Sequence, residues 1–451
     1  MSRRRRKKLP TTPLELEISA LSHEGRGIAH HEGKVVFVEG ALPGEKVEAV
    51  LTDRRSKYDQ AKLVEVHSPS PDRIEPACEY ASICGGCSLQ HFDPRAQLAF
   101  KESMLFEKLD HAVQGQQYTH MDPLRGPVLG YRRKARLAVR YVHKKEQVLV
   151  GFREKGSTFI TNMSSCEVLD QRVSSMLPAL SALVSSLESF REIPQIEVAA
   201  GDPDLDAPTT ALVFRHLKAL GDADLEKLVS FARENSFALY LQAGGMDTVH
   251  KVHPKSGPDR LYYQLPAESL ALGFHPTDFT QVNADINRLM IGQALQLLEL
   301  QQDDRLLDLF SGLGNFTLAA ARRCQHVTGV EGSQAMVERG MENARFNNIS
   351  NTEFHSADLT QSMAKAPWLQ NTFNKVLLDP PRSGCFEILS DLIQIRPQRI
   401  VYVSCNPATL ARDAAFLAEQ GYRLSSAGVM DMFPQTAHVE AMALFVEGKA
   451  K

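Results

Sequence analysis

The chain has too few cysteines, too irregularly spaced, for a disulfide framework: seven in 451 residues, an odd number. Reduced thiols or metal ligands fit that usage better than a secreted scaffold. No apolar run is long enough to cross a bilayer. The basic start, residues 3–8, is not followed by the apolar core of a secretory signal, so a cytoplasmic protein is expected. There is no internal repeat, and no excess of one charge: the formal net charge is −3. That balance argues against binding nucleic acid through bulk charge. What remains is a globular composition, 43% hydrophobic and 23% charged. The length exceeds one ordinary core, so two or three domains are expected.

The average hides a local asymmetry. Residues 125–155 hold ten Lys or Arg against two acids, Glu146 and Glu154. The densest part contains Arg132, Arg133, Lys134, Arg136 and Arg140 between Tyr131 and Tyr141. Residues 3–8 add six more cations. Such patches attract phosphate backbones whatever the net charge. The competing reading is a solvated face.

Residues 12–68 alternate with period two, as in Leu14-Glu-Leu-Glu-Ile18 and Glu45-Lys-Val-Glu-Ala-Val50, and glycines punctuate the runs. Short strands with Gly-rich turns predict a small OB-like barrel. The sequence from Pro94 to Val113 predicts an amphipathic helix. Residues 129–270 mix strands and helices. The last third alternates apolar strands (305–310, 326–330, 374–379, 399–403) with helices, which predicts an open α/β sheet with sites at its carboxyl strand ends.

Four constellations carry chemistry. Asp308-Leu-Phe-Ser-Gly-Leu-Gly314-Asn315-Phe316-Thr317 follows a strand, and Glu331 ends the next one, where an acid can hold ribose hydroxyls. Thr317 stands where a dinucleotide fingerprint has its third glycine. A nucleoside cofactor without a pyrophosphate therefore fits better than a nicotinamide. Asp379-Pro-Pro-Arg382 makes a stiff lip after its strand, because consecutive prolines fix φ. Cys405, in Ser404-Cys-Asn-Pro407, sits just past another strand and can add to an electron-poor double bond; a small buried hydrophobe is the commoner fate of such a cysteine. Cys324 and Cys385 have no such context and read as structural. Finally, Cys78, Cys84 and Cys87 have C-x5-C-x2-C spacing, and Cys166 is the remaining cysteine in that half. Four thiolates suit zinc or an iron–sulfur cluster, and spacing leaves both open.

Taken together, these motifs resemble the bacterial RNA uracil-C5 methyltransferases over nearly the whole chain. Phe279-Thr-Gln281-Val-Asn283, Asp379-Pro-Pro-Arg-Ser-Gly384, Thr409-Leu-Ala-Arg-Asp413 and His438-Val-Glu440 complete the match. The resemblance implies S-adenosylmethionine as cofactor, contacted by Gln281, Phe310, Asn315, Glu331, Asp358 and Asp379. It implies Cys405 as nucleophile and Glu440 as general base. It implies a 4Fe-4S cluster on Cys78, Cys84, Cys87 and Cys166, and 23S ribosomal RNA as the substrate of a monomeric enzyme. The implied fold is a Rossmann-like methyltransferase domain (residues 96–128 and 271–451). With it go an OB-like TRAM domain for RNA binding (12–70) and a central α+β domain carrying the cluster (76–95 and 129–270). Alternatives are methylation of another RNA, methylation of cytidine, or a non-catalytic RNA-binding or assembly protein.

Overall fold

The structure is a computed structural model, and it describes residue 9, residues 12–203 and residues 208–448. The basic run at residues 3–8 lies outside the described residues. The chain divides into two compact units. One comprises Met1–Met104 with Phe433–His438, the other Leu105–Met432 with Val439–Lys451.

In the first unit, alternating side chains build a six-stranded sheet. Its order is Leu14–Glu17, Lys46–Arg54, Tyr58–Ser68, Lys34–Glu39, Gly27–His31, Ala20–Leu21. The two edge strands follow each other in the chain, and each pairs antiparallel with its neighbour. One bent segment thus closes the sheet on itself. Leu16, Ile18, Val36, Val38, Val47 and Ala49 fill the interior, as the period-two pattern predicts. A buried ion pair pins the next segment. Glu45 accepts from the amides of Leu42 (2.8 Å) and Ser70 (3.1 Å) and from Arg73 Nε (2.5 Å) and Nη2 (2.8 Å). The helix Pro94–Ala112 follows, close to the predicted span.

The second unit holds two large sheets. The order of the six-stranded one is His250–His253, Ala238–Gln242, Thr210–Arg215, Gln195–Ala200, Lys134–Val142, Gln147–Gly151. The other runs Thr352–Ser356, His326–Glu331, Arg305–Leu309, Lys375–Leu378, Arg399–Ser404, Glu440–Glu447, Tyr422–Met430, Thr119–His120. Its first five strands are parallel, and Glu440–Glu447 inserts antiparallel beside Arg399–Ser404. The interior strands are mainly apolar, since helices cover both faces of a parallel sheet, with Asp308 a buried exception. From Arg305–Leu309 the chain winds first to one side and then to the other. A crevice therefore opens at the carboxyl ends of the central strands. Short helices occupy Gln171–Ser174, Leu177–Ser186 and Thr317–Ala321. Among the described residues no helix is long and apolar enough to cross a membrane.

Candidate active site

The Gly-rich turn begins with strain. Phe310 has φ +66°, a left-handed conformation that costs a residue with a Cβ, and Gly312 follows at +56°. The turn brings the Gly312 amide onto Glu331 Oε2 at 3.1 Å, while the Ser333 amide donates to Oε1 at 2.9 Å. Glu331 is thereby aimed across the strand ends. Asn315 Oδ1 accepts from Tyr263 Oη (2.8 Å) and Asn287 Nδ2 (3.1 Å), and Asn315 Nδ2 donates to Asn287 Oδ1 (2.9 Å). Sequence reasoning missed Tyr263 and Asn287, because both reach the turn from distant elements.

Beneath the turn lies Asp308, fully buried inside its strand. Its Oδ2 accepts from Thr317 Oγ1 at 2.5 Å, and its Oδ1, like Ser311 Oγ, has no partner among the described residues. Burial pushes Asp308 up to about 7; the Thr317 bond opposes this, and nearby Asp379 and Glu331 reinforce it. Asp379 follows the neighbouring strand, and burial pushes it up to about 7 as well. Unpartnered buried oxygens beside two carboxylates are a lining that a polar, cationic nucleoside can satisfy.

Cys405 lies just past Ser404, which pairs with Ala441. That antiparallel register carries Glu440 to the same sheet end as the cysteine. Cys405 is half-buried. Burial pushes its thiol up to about 11, the charges of Glu440 and Asp379 push the same way, and Arg382 opposes them. The structure therefore draws Cys405, Glu440, Asp379 and Arg382 into one electrostatic neighbourhood.

The other expected site residues fall out differently. Gln281 is half-buried, two residues before the cap of the helix Ala284–Leu298, where Asn283 Oδ1 accepts from the Ile286 amide at 3.3 Å. Asp358 is exposed, and its carboxylate serves its own turn. It accepts from Thr360 N (3.0 Å), Thr360 Oγ1 (2.6 Å) and Gln361 Nε2 (2.8 Å), and the Thr360 bonds hold it below the usual carboxylate range. The Ala357 amide does reach the Glu331 carbonyl, so Asp358 stands next to that strand end. Within the basic stretch, three cations serve the protein itself. Arg133 Nη1 pairs with Asp202 Oδ1 at 2.5 Å, and Arg132 Nε donates to the Lys134 carbonyl at 3.1 Å. Lys134 Nζ donates to the Asp278 carbonyl, and burial pulls it down to about 8. Arg136 and Arg140 are the outward members of that strand. Arg136 also pairs with Glu197 Oε1 at 3.0 Å.

Cys78, Cys84 and Cys87 belong to the first unit and Cys166 to the second. Cys78, Cys84 and Cys166 are buried, and no disulfide joins any cysteine among the described residues. The Gly86 amide donates to Cys84 Sγ at 3.4 Å, the kind of bond that stabilises a ligating thiolate. Among the described residues, no group of three or more His, Cys, Asp or Glu is gathered as a metal site. The two other cysteines are structural, as expected. Cys324 Sγ donates to the Ala320 carbonyl (3.3 Å), and Cys385 Sγ to Tyr402 Oη (3.5 Å).

An open sheet with one antiparallel strand inserted near its edge, and a polar crevice at the strand ends, defines a methyltransferase of the Rossmann-like class. The chain belongs to the tRNA (uracil-5-)-methyltransferase family, whose profile matches residues 95–447. A TRAM domain profile matches residues 10–64. A protein of Alkalilimnicola ehrlichii named 23S rRNA (uracil(1939)-C(5))-methyltransferase RlmD is 54% identical over 443 residues, 98% of each chain. One of Hahella chejuensis with the same name is 54% identical over 447 residues, covering 98% of this chain and 99% of the relative. The structure of Pyrococcus abyssi tRNA (uracil-54, C5)-methyltransferase in complex with S-adenosyl-L-homocysteine aligns with a TM-score of 0.74. It is 24% identical, covering 96% of this chain and 100% of that one, and shares the fold.

Proposed function

We propose that this chain methylates C5 of a uridine in 23S ribosomal RNA through a covalent bond between Cys405 and C6 of the base. The register that brings Glu440 alongside Cys405, with Asp379 acting on the same thiol, carries this reading. The names of the full-length relatives support ribosomal RNA as the substrate class. S-Adenosylmethionine, when bound, supplies an electrophilic methyl group and a positive charge. Glu331 would hold its ribose, Gln281, Phe310 and Asn315 would line its site, and Asp379 would face the reacting base. Asp358 would stand at the adenine end through its position at the strand end.

The residues divide the chemistry as follows. Cys405 reacts as its thiolate: the sulfur bonds to C6, and the C5–C6 π electrons move onto the C4 carbonyl oxygen. C5 has thereby become a carbon nucleophile and can accept the methyl group. Glu440 then removes the C5 proton, the double bond re-forms and the S–C6 bond breaks, which releases Cys405 as a thiolate. Covalent catalysis divides one hard step into easier ones in this way. The base must leave its stack to enter the crevice. We propose further that Cys78, Cys84, Cys87 and Cys166 hold a 4Fe-4S cluster, supported by thiols outside any disulfide and the amide bond onto Cys84.

RNA containing 5-fluorouridine tests the central step, because fluorine cannot leave as a proton does. Wild type should accumulate a protein–RNA adduct visible on a denaturing gel, and Cys405→Ala should form none. An adduct that survives that substitution, or one formed equally with cytidine RNA, would overturn the reading.

A further inference from the structure

The loop after Asp379 and the helix after Cys405 are fastened by more than their parent strands. Those strands, Lys375–Leu378 and Arg399–Ser404, are parallel neighbours, and this fixes only where each segment leaves the sheet. Beyond the sheet, the first turns of the helix Pro407–Glu419 and its cap grip residues 382–385. Asn406 Nδ2 and Thr409 Oγ1 donate to the Arg382 carbonyl, at 3.0 and 3.3 Å. Arg412 Nη2 donates to the Ser383 carbonyl at 3.0 Å. The Cys385 amide donates to Asp413 Oδ2 at 3.0 Å.

Asp413 is the hub. It is fully buried, yet all its bonds are made: Oδ2 also accepts from Tyr402 Oη at 2.7 Å, and Oδ1 accepts from Arg412 Nε at 2.8 Å and Nη2 at 2.7 Å. The loop is shaped to this carboxylate. Gly384 has φ +77°, and a Cβ there would lie 2.7 Å from Asp413 Oδ2 and 2.6 Å from Arg412 Nη2. A buried charge with four donors is costly to keep unless geometry is its purpose.

We propose that Asp413 is a positioning residue for the reaction: it holds the loop bearing Asp379 and Arg382 in register with Cys405. The proposal rests on reading Cys405 and Asp379 as parts of the reacting site. Arg382 is the cation that favours the Cys405 thiolate, so a loop that drifts takes that charge away. A purely structural carboxylate would change stability alone. A positioning one also changes how the thiol titrates.

Asp413→Asn keeps the shape and removes the charge. The rate of adduct formation with 5-fluorouridine RNA is measured from neutral to alkaline pH, beside KM for S-adenosylmethionine, circular dichroism and thermal melting. The folded variant should keep its cofactor KM within a few-fold and form adduct about a hundredfold more slowly at neutral pH. Its pH–rate profile should move to higher pH. Thr409→Val, which removes a hydroxyl within reach of the Arg382 and Asn406 carbonyls without touching the charge, should show a smaller loss and a smaller shift. Asp413→Asn and Arg382→Ala should be non-additive in a double-mutant cycle, as coupled residues are. A folded Asp413→Asn with the wild-type rate and profile would overturn the proposal. So would a slower rate with an unshifted profile and additive effects. Should Asp413→Asn not fold, Thr409→Val decides, and an unshifted profile in that variant would refute it. A wild type that forms no adduct would instead remove the catalytic reading underneath.

Discussion

At the scale of single residues, the proposed nucleophile is held in its unreactive form. Cys405 is pushed up to about 11 by burial, Glu440 and Asp379, so at neutral pH little of it is thiolate. The two carboxylates that the chemistry needs later are part of what restrains it at first. Glu440→Gln separates these effects. Removing a negative charge should lower the Cys405 pKa, so that adduct with 5-fluorouridine RNA forms faster at neutral pH. Turnover on ordinary RNA should still fall by about a hundredfold or more, since nothing takes the C5 proton. Gel-shift rates beside methyl incorporation check both halves, and a variant slow in adduct formation would contradict the charge argument. Cys405, Glu331 and Asp379 were legible because each ends a strand within a recognisable motif. Asp308 was not singled out, because an acid inside an apolar strand has no sequence mark beyond being there. Its unpartnered Oδ1 is visible only once the neighbours are placed.

At the scale of elements, period and punctuation predicted the strands well. The barrel's alternating runs and the apolar strands of the parallel sheet both appear. What a local pattern cannot report is pairing between distant segments. Arg132, Arg133 and Lys134 read as one cationic patch with Arg136 and Arg140, and only the structural neighbours reveal that the first three, and Arg136 through Glu197, already hold partners. The Asp413 hub left a faint mark, polar residues at 406, 409 and 413 on one helix face, but their targets lie some 25 residues upstream. The Glu45–Arg73 pair is of the same kind. Burial alone would raise the Glu45 pKa, but the Arg73 bond and the Leu42 and Ser70 amides outweigh it and hold it low. Such a group contributes stability that is present above its unfolded value and lost as pH falls through the lower, folded one. Glu45→Gln should therefore cost about 3 kcal/mol at neutral pH and weaken the acid limb of the stability profile. Thermal melts of the two proteins from pH 3 to 7 would measure the difference; parallel curves would contradict it.

At the scale of the whole molecule, the proposed cluster would draw its ligands from residues far apart in sequence. Protein purified without oxygen should be brown and hold about four iron and four sulfide per chain, and Cys166→Ser should lower both. One zinc per chain with no sulfide would refute the cluster. The catalytic pair is divided along the chain in another way. Glu440 arrives on a strand that pairs with Arg399–Ser404 on one side and Tyr422–Met430 on the other, though both come earlier in the sequence. Without that strand, Cys405 would stand at a sheet edge and lack its proposed base. The proposed base therefore depends on the register of a single inserted strand, and a slip of that strand would part Glu440 from Cys405 while leaving the thiol where it is.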